Sequence, residues 1–362
     1  MNFSLRPEEQ AAFSLRSLYQ RCGYQQYTVS KFEEYDLYAQ NKNFLSSKQI
    51  LTFSDTNGRL MALKPDITLS IVKNTRDDHR TRKLWYTEKV YRVPRNAYGF
   101  QEITQTGLEY IGPIDRYAMS EVLMLAARSL ETISPCYVLE LSHMGILSGI
   151  LTELDIPDTG AILTAIEEKN AHELAALCAR MELSAETASL LDALCRLSGP
   201  ADPALETLLA LPLPEASRRA ALELSDICRL LAAFGDYNVH LDLSVLNDMD
   251  YYNGLIFRGF VDGIAVSVLS GGRYDRLLER MGKSGGAIGF AVYLDELSRF
   301  LAQDSAYDVD TLLVYTPEDD PLAVIALARA LEEQGQTVRV QPAGETNVTY
   351  RKKIDARGKE IL

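Results

Sequence analysis

The stretch from residue 247 to residue 275 constrains the fold more than any other part of this chain. It begins with a tyrosine pair and an apolar run, continues through Asp262-Gly263, and returns as a β-branched run at 264–269. This pattern predicts a β-hairpin with a tight turn at Asp262-Gly263. Gly271-Gly272 then lets the backbone pass close to a group that a Cβ would obstruct. The tyrosines and the glycines are expected to lie at the same edge of the sheet. They could form the wall of a ligand site, or they could belong to an ordinary hairpin that ends in glycines.

Composition narrows the class of protein. With 362 residues, 47% hydrophobic and 24% charged, the chain resembles ordinary globular proteins. It has no apolar run of about 18 residues, so no membrane association is expected. Five scattered cysteines favour a reducing cytoplasm, and four histidines without ligand spacing predict no metal site. The net charge of −13 makes tRNA an unlikely partner, because phosphate surfaces need clustered Lys and Arg. No cofactor is predicted.

The order of elements predicts an α+β fold. Two β-rich runs, LWYTEKVYRV and QEITQTGLEYIG, precede an amphipathic helical pattern at 116–133 and a strand at 136–143. Residues 146–234 are rich in Ala, Leu and Glu and carry almost no strand signal, which predicts a helical insertion. We therefore expect one core at 1–304 that contains this insertion.

A short α/β appendage is predicted at 309–362. A strand, a helix and a second strand follow one another in TLLVYTP, PLAVIALARALEEQG and TVRVQPA. The segment RKKIDARGKEIL then predicts the start of a second helix. The sequence ends about where a third strand would be needed.

Polar residues on one predicted strand form a candidate pocket floor. Gln105, Gly107 and Glu109 share one face of the strand by its period of two. Gly107 opens room above the sheet, and the flanking Gln and Glu offer acceptors to an amine or cation. The alternation of polar and apolar residues along the strand would also place these residues on a solvent-exposed face. From this strand alone, the solvent-exposed face is the favoured interpretation.

Two further features lie beside the predicted strands. Asp66 and Thr68 are equally consistent with two roles. They could begin a helix, where their side chains accept hydrogen bonds from the free backbone amides of the first turn, or they could bind a ligand. Arg92 could hold a carboxylate or phosphate with two parallel hydrogen bonds, or it could face solvent. It belongs to a basic concentration at 76–95, whose commoner explanation is a solvated face rather than a phosphate-binding surface.

Six motifs together resemble the catalytic core of class II histidyl-tRNA synthetases over residues 1 to about 300. They occur in the order ALKPDIT, KVYRV, QTGLEYIG, DMDYYNG, SGGRYD and AIGFAVYLDEL. The resemblance implies an antiparallel sheet of six or seven strands flanked by helices, a dimer, and a histidine pocket. By this resemblance, Asp66, Thr68 and Gln105 would bind the α-amino group of histidine, and Arg92 would lie near its carboxylate. Glu109 and the tyrosine pair Tyr251 and Tyr252 would lie on the imidazole side.

The departures from the synthetase pattern affect its ATP site. The synthetases carry arginines at the positions held here by Asn247, Gln101 and Glu296. Adenylation needs cations on the triphosphate as charge moves to pyrophosphate. A glutamate at the γ-phosphate replaces attraction by repulsion, so amino-acid activation is expected to fail.

A synthetase fold with a histidine pocket and no ATP site resembles the regulatory subunits of ATP phosphoribosyltransferase, which are non-catalytic paralogues of the synthetases. That resemblance implies a short-form catalytic subunit as partner, L-histidine as feedback ligand, and a homodimer within a hetero-oligomer. Two alternatives stay open, namely a divergent histidyl-tRNA synthetase and a histidine-sensing module of another pathway.

Overall fold

The computed structural model describes most of the chain. It divides the protein into two compact units, Glu8–Phe300 and a second unit that contains residues 307–361. In the described ranges no helix is long and apolar enough to cross a membrane. Those ranges are 6–45, 49–78, 80–93, 99–153, 156, 158–246, 252–301, 307–344 and 346–361.

Helices and strands alternate irregularly along the chain, as expected of an α+β protein. The helices are α1 (Pro7–Arg21), α2 (Tyr35–Gln40), α3 (Thr68–Asn74), α4 (Arg116–Ile133), α5 (Met144–Glu153), α6 (Thr159–Glu167), α7 (Ala171–Arg180), α8 (Ala185–Arg196), α9 (Ala201–Ala210), α10 (Glu215–Phe234), α11 (Asp275–Arg280), α12 (Leu294–Leu301) and α13 (Pro321–Glu333), with a 3₁₀ helix at Lys42–Phe44. The strands are β1 (Gln25–Gln26), β2 (Phe32–Glu34), β3 (Thr52–Ser54), β4 (Leu60–Leu63), β5 (Arg82–Arg92), β6 (Gln101–Gly112), β7 (Tyr137–His143), β8 (Ser198–Pro200), β9 (Val239–Asp242), β10 (Leu255–Val261), β11 (Leu269–Arg273), β12 (Gly286–Tyr293), β13 (Val309–Tyr315), β14 (Val338–Pro342) and β15 (Tyr350–Ile354).

The main sheet has the strand order β1-β5-β6-β12-β11-β10-β7-β9-β8. The six strands from β5 to β7 in this order are antiparallel to their neighbours. By contrast, β1 pairs with β5 and β9 pairs with β7 in parallel. The α+β fold is confirmed, but the sheet is wider than expected and mixed. The β7–β9 pair is parallel because the helical insertion lies between the two strands, and a parallel pair needs such a long crossover.

The hairpin at 247–275 differs in one respect from the prediction. Its turn at Asp262-Gly263 is present, with Gly263 at φ +84° in the left-handed region. The return strand, however, begins at Leu269 rather than at Ile264, so Gly271-Gly272 lie inside β11 instead of after it. Val266 is exposed, and its β-branched side chain therefore contributes no core packing that would extend the strand.

The helical insertion comprises α5 to α10 and one short strand, β8, at the Gly-Pro joint. The long helix α10 packs against α4 and α5 and buries Ala221, Leu224 and Cys228. Ser217 on α10 donates a hydrogen bond of 2.7 Å to the carbonyl of Ile146 on α5. One face of α10 is therefore fixed to elements that adjoin the sheet.

A small antiparallel sheet, in the order β2-β4-β3, precedes α3. The turn between β3 and β4 is held by Asp55, whose Oδ1 accepts from the amides of Asn57 and Arg59 at 2.8 and 2.9 Å. After β4 the chain passes through Lys64 into the first turn of α3.

The C-terminal unit is a three-stranded parallel sheet in the order β14-β13-β15 with α13. The predicted second helix in RKKIDARGKEIL is wrong, because Tyr350–Ile354 forms strand β15 beside β13. Ile354 is buried with Leu313 and Val324 in one apolar cluster. Tertiary packing of that residue thus overrides the helix preference of its Lys and Arg neighbours.

Candidate functional site

A cavity of about 430 Å³, including the space at its open mouth, lies on one face of the main sheet. Its floor is formed by β6, β11 and β12, and its sides by β5, the start of α3 and the residues that flank β10 and β11. The lining residues are Asp66, Ile67, Thr68, Tyr86, Arg92, Gln105, Glu109, Tyr252, Ser270, Tyr274, Gly289, Phe290, Ala291 and Tyr293.

The structure brings six of the seven candidate histidine-binding residues together around this cavity. The seventh, Tyr251, lies outside the described residues. The ligand of these side chains stays a prediction. The six that line the cavity are Asp66, Thr68, Arg92, Gln105, Glu109 and Tyr252.

The strand face that carries Gln105 and Glu109 is buried. The two residues are 6% and 2% exposed, so the reading of a solvated face is wrong. The room above Gly107 is occupied by Tyr86, since a Cβ on this glycine would lie 2.8 Å from the Tyr86 hydroxyl. Polar groups buried in this way need partners, and for Glu109 they are the hydroxyls of Thr68 and Tyr274.

Glu109 is the most deeply buried acid of the cavity. Its Oε1 accepts a hydrogen bond of 2.7 Å from Thr68 Oγ1, and its Oε2 accepts one from the Tyr274 hydroxyl. Burial raises the pKa of the Glu109 carboxyl to about 8, although both hydroxyl bonds favour the charged form. The carboxyl therefore titrates near neutral pH, where it can either donate or accept a hydrogen bond.

Asp66 has the predicted helix-start role, while its predicted role in ligand binding stays a prediction. Its Oδ1 accepts a hydrogen bond of 2.8 Å from the Leu69 amide in the first turn of α3, and the residue also lines the cavity. Burial raises the pKa of the Asp66 carboxyl, while the Leu69 amide and the positive charge of Arg92 act in the opposite direction. The helix start thus holds the carboxyl in place at the cavity wall.

Tyr252 covers one side of the cavity and depends on a glycine to do so. A Cβ on Gly272 would lie 2.5 Å from Cδ1 of the Tyr252 ring. The prediction that a glycine in β11 permits close approach is confirmed, and the approaching group is this ring. Burial raises the pKa of the Tyr252 hydroxyl well above its ordinary value, so it stays a neutral donor or acceptor.

Several lining residues were not assigned from the sequence. Tyr274 belongs to the motif SGGRYD, which was recognised, but only the fold shows that its hydroxyl reaches Glu109. Tyr86 and Gly289 are cross-strand partners of Gly107 and Glu109. The signal that could have found them is the strand register, which depends on how β5, β6 and β12 pair.

Arg92 is the one cation among the described lining residues. Its guanidinium lies over the ring of Tyr293, 5.8 Å from the ring centroid. Asp66 and Glu109 line the same cavity, and Asp66 lies close enough to feel the charge of Arg92. Two acids and one arginine suit a small ligand that carries both an amine and a carboxylate.

The positions of the expected ATP site carry no arginine. Gln101 is the first residue of β6 and pairs with Arg92, while Glu296 lies in the first turn of α12, which begins directly after Tyr293. Its neighbour Asp295 accepts a hydrogen bond of 2.8 Å from the Thr104 amide. Asn247 lies outside the described residues.

In the described ranges no group of three His, Cys, Asp or Glu is arranged to hold a metal ion.

Part of the basic concentration at 76–95 is paired with acidic residues. Three of its side chains lie against carboxylates, and the pairs are Arg82–Asp78 at 2.7 Å, Lys83–Glu121 at 2.7 Å, and Lys89–Glu102. Within the described part of this segment, these pairs reduce the positive charge that a phosphate-binding surface would need.

Similarity to known proteins places this geometry in a family. The family model described as histidyl-tRNA synthetase matches residues 4–297. An ATP phosphoribosyltransferase regulatory subunit from Alkaliphilus metalliredigens is 30% identical over 289 residues, which cover 77% of this chain and 73% of the relative. The chain belongs to the ATP phosphoribosyltransferase regulatory subunit family. The recognition made from the six sequence motifs is thereby confirmed.

Two solved structures share the fold of this family member. A Bacillus halodurans protein described as an ATP phosphoribosyltransferase regulatory subunit/histidyl-tRNA synthetase has a TM-score of 0.75 at 24% identity, covering 98% of this chain and 96% of that chain. A chain of an ATP phosphoribosyltransferase (HisG:HisZ) complex from Thermotoga maritima has a TM-score of 0.62 at 22% identity, covering 79% and 97%. At these identities the likeness concerns the fold, and it confirms the synthetase-like core.

Proposed function

We propose that this chain is the regulatory subunit of an ATP phosphoribosyltransferase. In this role it binds a short catalytic subunit, is required for the first step of L-histidine biosynthesis, and makes that step sensitive to histidine. Family membership supports the proposal, as does the fold shared with a chain of the Thermotoga maritima complex. A homodimer within the larger assembly is part of the same proposal.

The observation that carries the proposal is the buried carboxyl of Glu109 in a cavity that Asp66 and Arg92 also line. In the proposed complex, Arg92 pairs with the α-carboxylate of histidine and Asp66, Thr68 and Gln105 accept from its ammonium. The imidazole then lies against Glu109 and Tyr252. A buried acid that readily gains or loses a proton favours this ring over an apolar side chain of similar size, because an apolar ligand would leave it unpaired.

We further propose that the chain does not catalyse amino-acid activation. Gln101 and Glu296 stand where the synthetases carry arginines, and Glu296 is preceded by a second acid, Asp295. Carboxylates at this rim repel a triphosphate by several kcal/mol in a partly dry site. The proposed role is therefore binding and regulation.

The deciding experiment mixes this chain with a short catalytic subunit and follows the condensation of ATP with 5-phosphoribosyl 1-pyrophosphate. We expect no activity from either protein alone, activity from the mixture, and inhibition by L-histidine but not by D-histidine. Calorimetry on this chain should show selective binding of L-histidine. Absence of activation by the wild-type chain would contradict the proposal.

The alternative is a divergent histidyl-tRNA synthetase, which the match of the synthetase family model to residues 4–297 keeps in view. Pyrophosphate exchange with ATP and histidine separates the two functions. We expect no exchange above the rate without protein, while a bacterial histidyl-tRNA synthetase serves as the positive control. Sustained exchange by this chain would favour the synthetase.

A further inference from the structure

Three polar residues behind the cavity form a connected group, which we call the clamp: Asn253, Arg273 and Asp275. Asp275 Oδ2 accepts hydrogen bonds from Arg273 Nε at 2.7 Å and from Asn253 Nδ2 at 3.3 Å. In return, Asn253 Oδ1 accepts from the Asp275 amide at 2.9 Å, and the Asn253 amide donates to the Arg273 carbonyl at 3.1 Å. The clamp thus ties the segment before β10 to the end of β11.

The clamp holds two walls of the cavity. Tyr252 directly precedes Asn253, and Tyr274 lies between Arg273 and Asp275. Both tyrosines line the cavity, and Tyr274 donates to Glu109. Because each tyrosine is joined to a clamp residue by a peptide bond, a backbone shift at either tyrosine also displaces the clamp.

An acid from the helical insertion faces the clamp. Glu223 on α10 places Oε1 3.9 Å from Arg273 Nη1 and 4.0 Å from His143 Nε2. His143 Nδ1 accepts a hydrogen bond of 3.1 Å from the Gly145 amide, which leaves Nε2 on the side of the ring that faces Glu223. His143 is buried at the junction of β7 and α5, so Glu223 provides a polar contact between α10 and the sheet beside the direct packing of α10 on β7.

The helix α10, which carries Glu223, packs closely against α5. Gly149 on α5 lies so close to α10 that an added Cβ would be 2.4 Å from Ser217 Oγ. Close packing of this kind lets two helices move together but not deform independently. The Glu223 contacts at 3.9–4.0 Å, in contrast, are longer than direct hydrogen bonds and can shorten or lengthen at small cost.

We propose that occupancy of the cavity is transmitted to the helical insertion through the clamp and Glu223. Ligand binding draws Tyr252 and Tyr274 inward, the clamp shifts Arg273, and the changed distance to Glu223 alters how α10 and α5 sit on the sheet. This inference rests on the proposed histidine site and adds to it the element that responds. It assigns the insertion, rather than the sheet alone, as the part of this unit whose state depends on the ligand.

The test is hydrogen exchange of the full chain with and without saturating L-histidine. In the wild type we expect slower exchange of amides in α10 and α5 when histidine is bound. In Glu223→Gln, calorimetry should still show histidine binding, while the histidine-dependent slowing in α10 and α5 is lost. Glutamine keeps the shape of the half-buried glutamate, and a thermal melt checks that the variant is folded.

Asp226→Asn is the matched control, because Asp226 lies one turn further along α10 and pairs with Arg116 at 3.0 Å, away from the cavity. This variant should keep the wild-type response to histidine. If wild-type chain binds histidine but α10 exchange does not change, or changes equally in Glu223→Gln, the inference is overturned while the proposed function stands. If wild-type chain does not bind histidine at all, both fail together.

Discussion

The carboxyl of Glu109 occupies the space that a side chain on Gly289 would need. The two residues are cross-strand partners on β6 and β12, and a Cβ on Gly289 would lie 1.9 Å from Glu109 Oε2. The glycine therefore permits the acid to turn across the neighbouring strand toward Tyr274. A site built for an apolar ligand would gain packing by filling this space, whereas this one keeps it open for a carboxyl.

Gly289→Ala should accordingly displace Glu109 from Tyr274 and weaken L-histidine binding by up to roughly 10-fold, the net contribution of one hydrogen bond. Calorimetry measures the affinity. The control is Gly160→Ala in the first turn of α6, where an added Cβ meets nothing closer than 3.8 Å. Equal affinities in the two variants would show that the position of Glu109 does not matter for the ligand.

Glu109→Gln should weaken L-histidine binding roughly 10–100-fold, because the amide keeps the shape but cannot become charged or exchange a proton with the imidazole. The matched control on the same strand is Glu102→Gln, which removes an exposed acid paired with Lys89. Titration calorimetry compares both with the wild type. If Glu102→Gln bound L-histidine as weakly as Glu109→Gln, the loss of affinity would reflect the total charge of the strand rather than the buried carboxyl.

Stability should fall with rising pH because of Glu109. The folded protein raises the pKa of this carboxyl from 4.5 to about 8, so between these values it binds a proton that the unfolded chain has released. The contribution of Glu109 to the free energy of unfolding is complete below about pH 4.5. It falls by at most about 1.4 kcal/mol per pH unit as the pH rises, and it is lost above about pH 8.

Urea unfolding across this pH range should show a shallower decline for Glu109→Gln than for the wild type. Asp66, whose pKa burial also raises, acts with the same sign and leaves part of the slope in the variant. Identical slopes in the two proteins would contradict a raised pKa at Glu109.

How far the sequence predicts this fold depends on the range of the interaction involved. The turn at Asp262-Gly263 and the helix at Arg116–Ile133 follow from local residue preferences and periodicity, and both are present. The strand at Tyr350–Ile354 was missed because its pairing with β13 and the burial of Ile354 are tertiary effects. Local preference decides an element only where packing does not compete with it.

The same distinction applies to the candidate site. Asp66, Gln105 and Glu109 could be named because they belong to continuous motifs. The partnership of Glu109 with Gly289 and Tyr274 joins residues more than 160 positions apart, as the hydrogen bond to Tyr274 shows. Register fixes such pairs, and register follows from the assembled sheet rather than from any one strand.

Gly149→Ala should destabilise the chain by about 1–3 kcal/mol, because the new methyl group enters a helix contact that has no room for it. An added Cβ would lie 2.4 Å from Ser217 Oγ and 2.8 Å from the Ser217 amide nitrogen, so α10 must move away from α5. Urea unfolding measures the change. A variant as stable as the wild type would show that the two helices can separate freely, which would also weaken the case for α10 as a responsive element.

Lys64→Met should destabilise the protein by about 3 kcal/mol, near the lower end for breaking a buried ion pair. Lys64 is 1% exposed, and its Nζ lies 2.7 Å from Oε2 of Glu88, which is itself 18% exposed. Methionine fills most of the space of the lysine stem but leaves the glutamate without its cation. Adding Glu88→Gln should recover part of the lost stability, because it removes the unpaired charge. The recovery is incomplete because the Val29 amide, which donates to Glu88 Oε1, then has a neutral acceptor instead of a charged one. Urea unfolding of both single variants and the double variant gives the coupling energy, and additive losses would mean that the pair contributes nothing beyond packing.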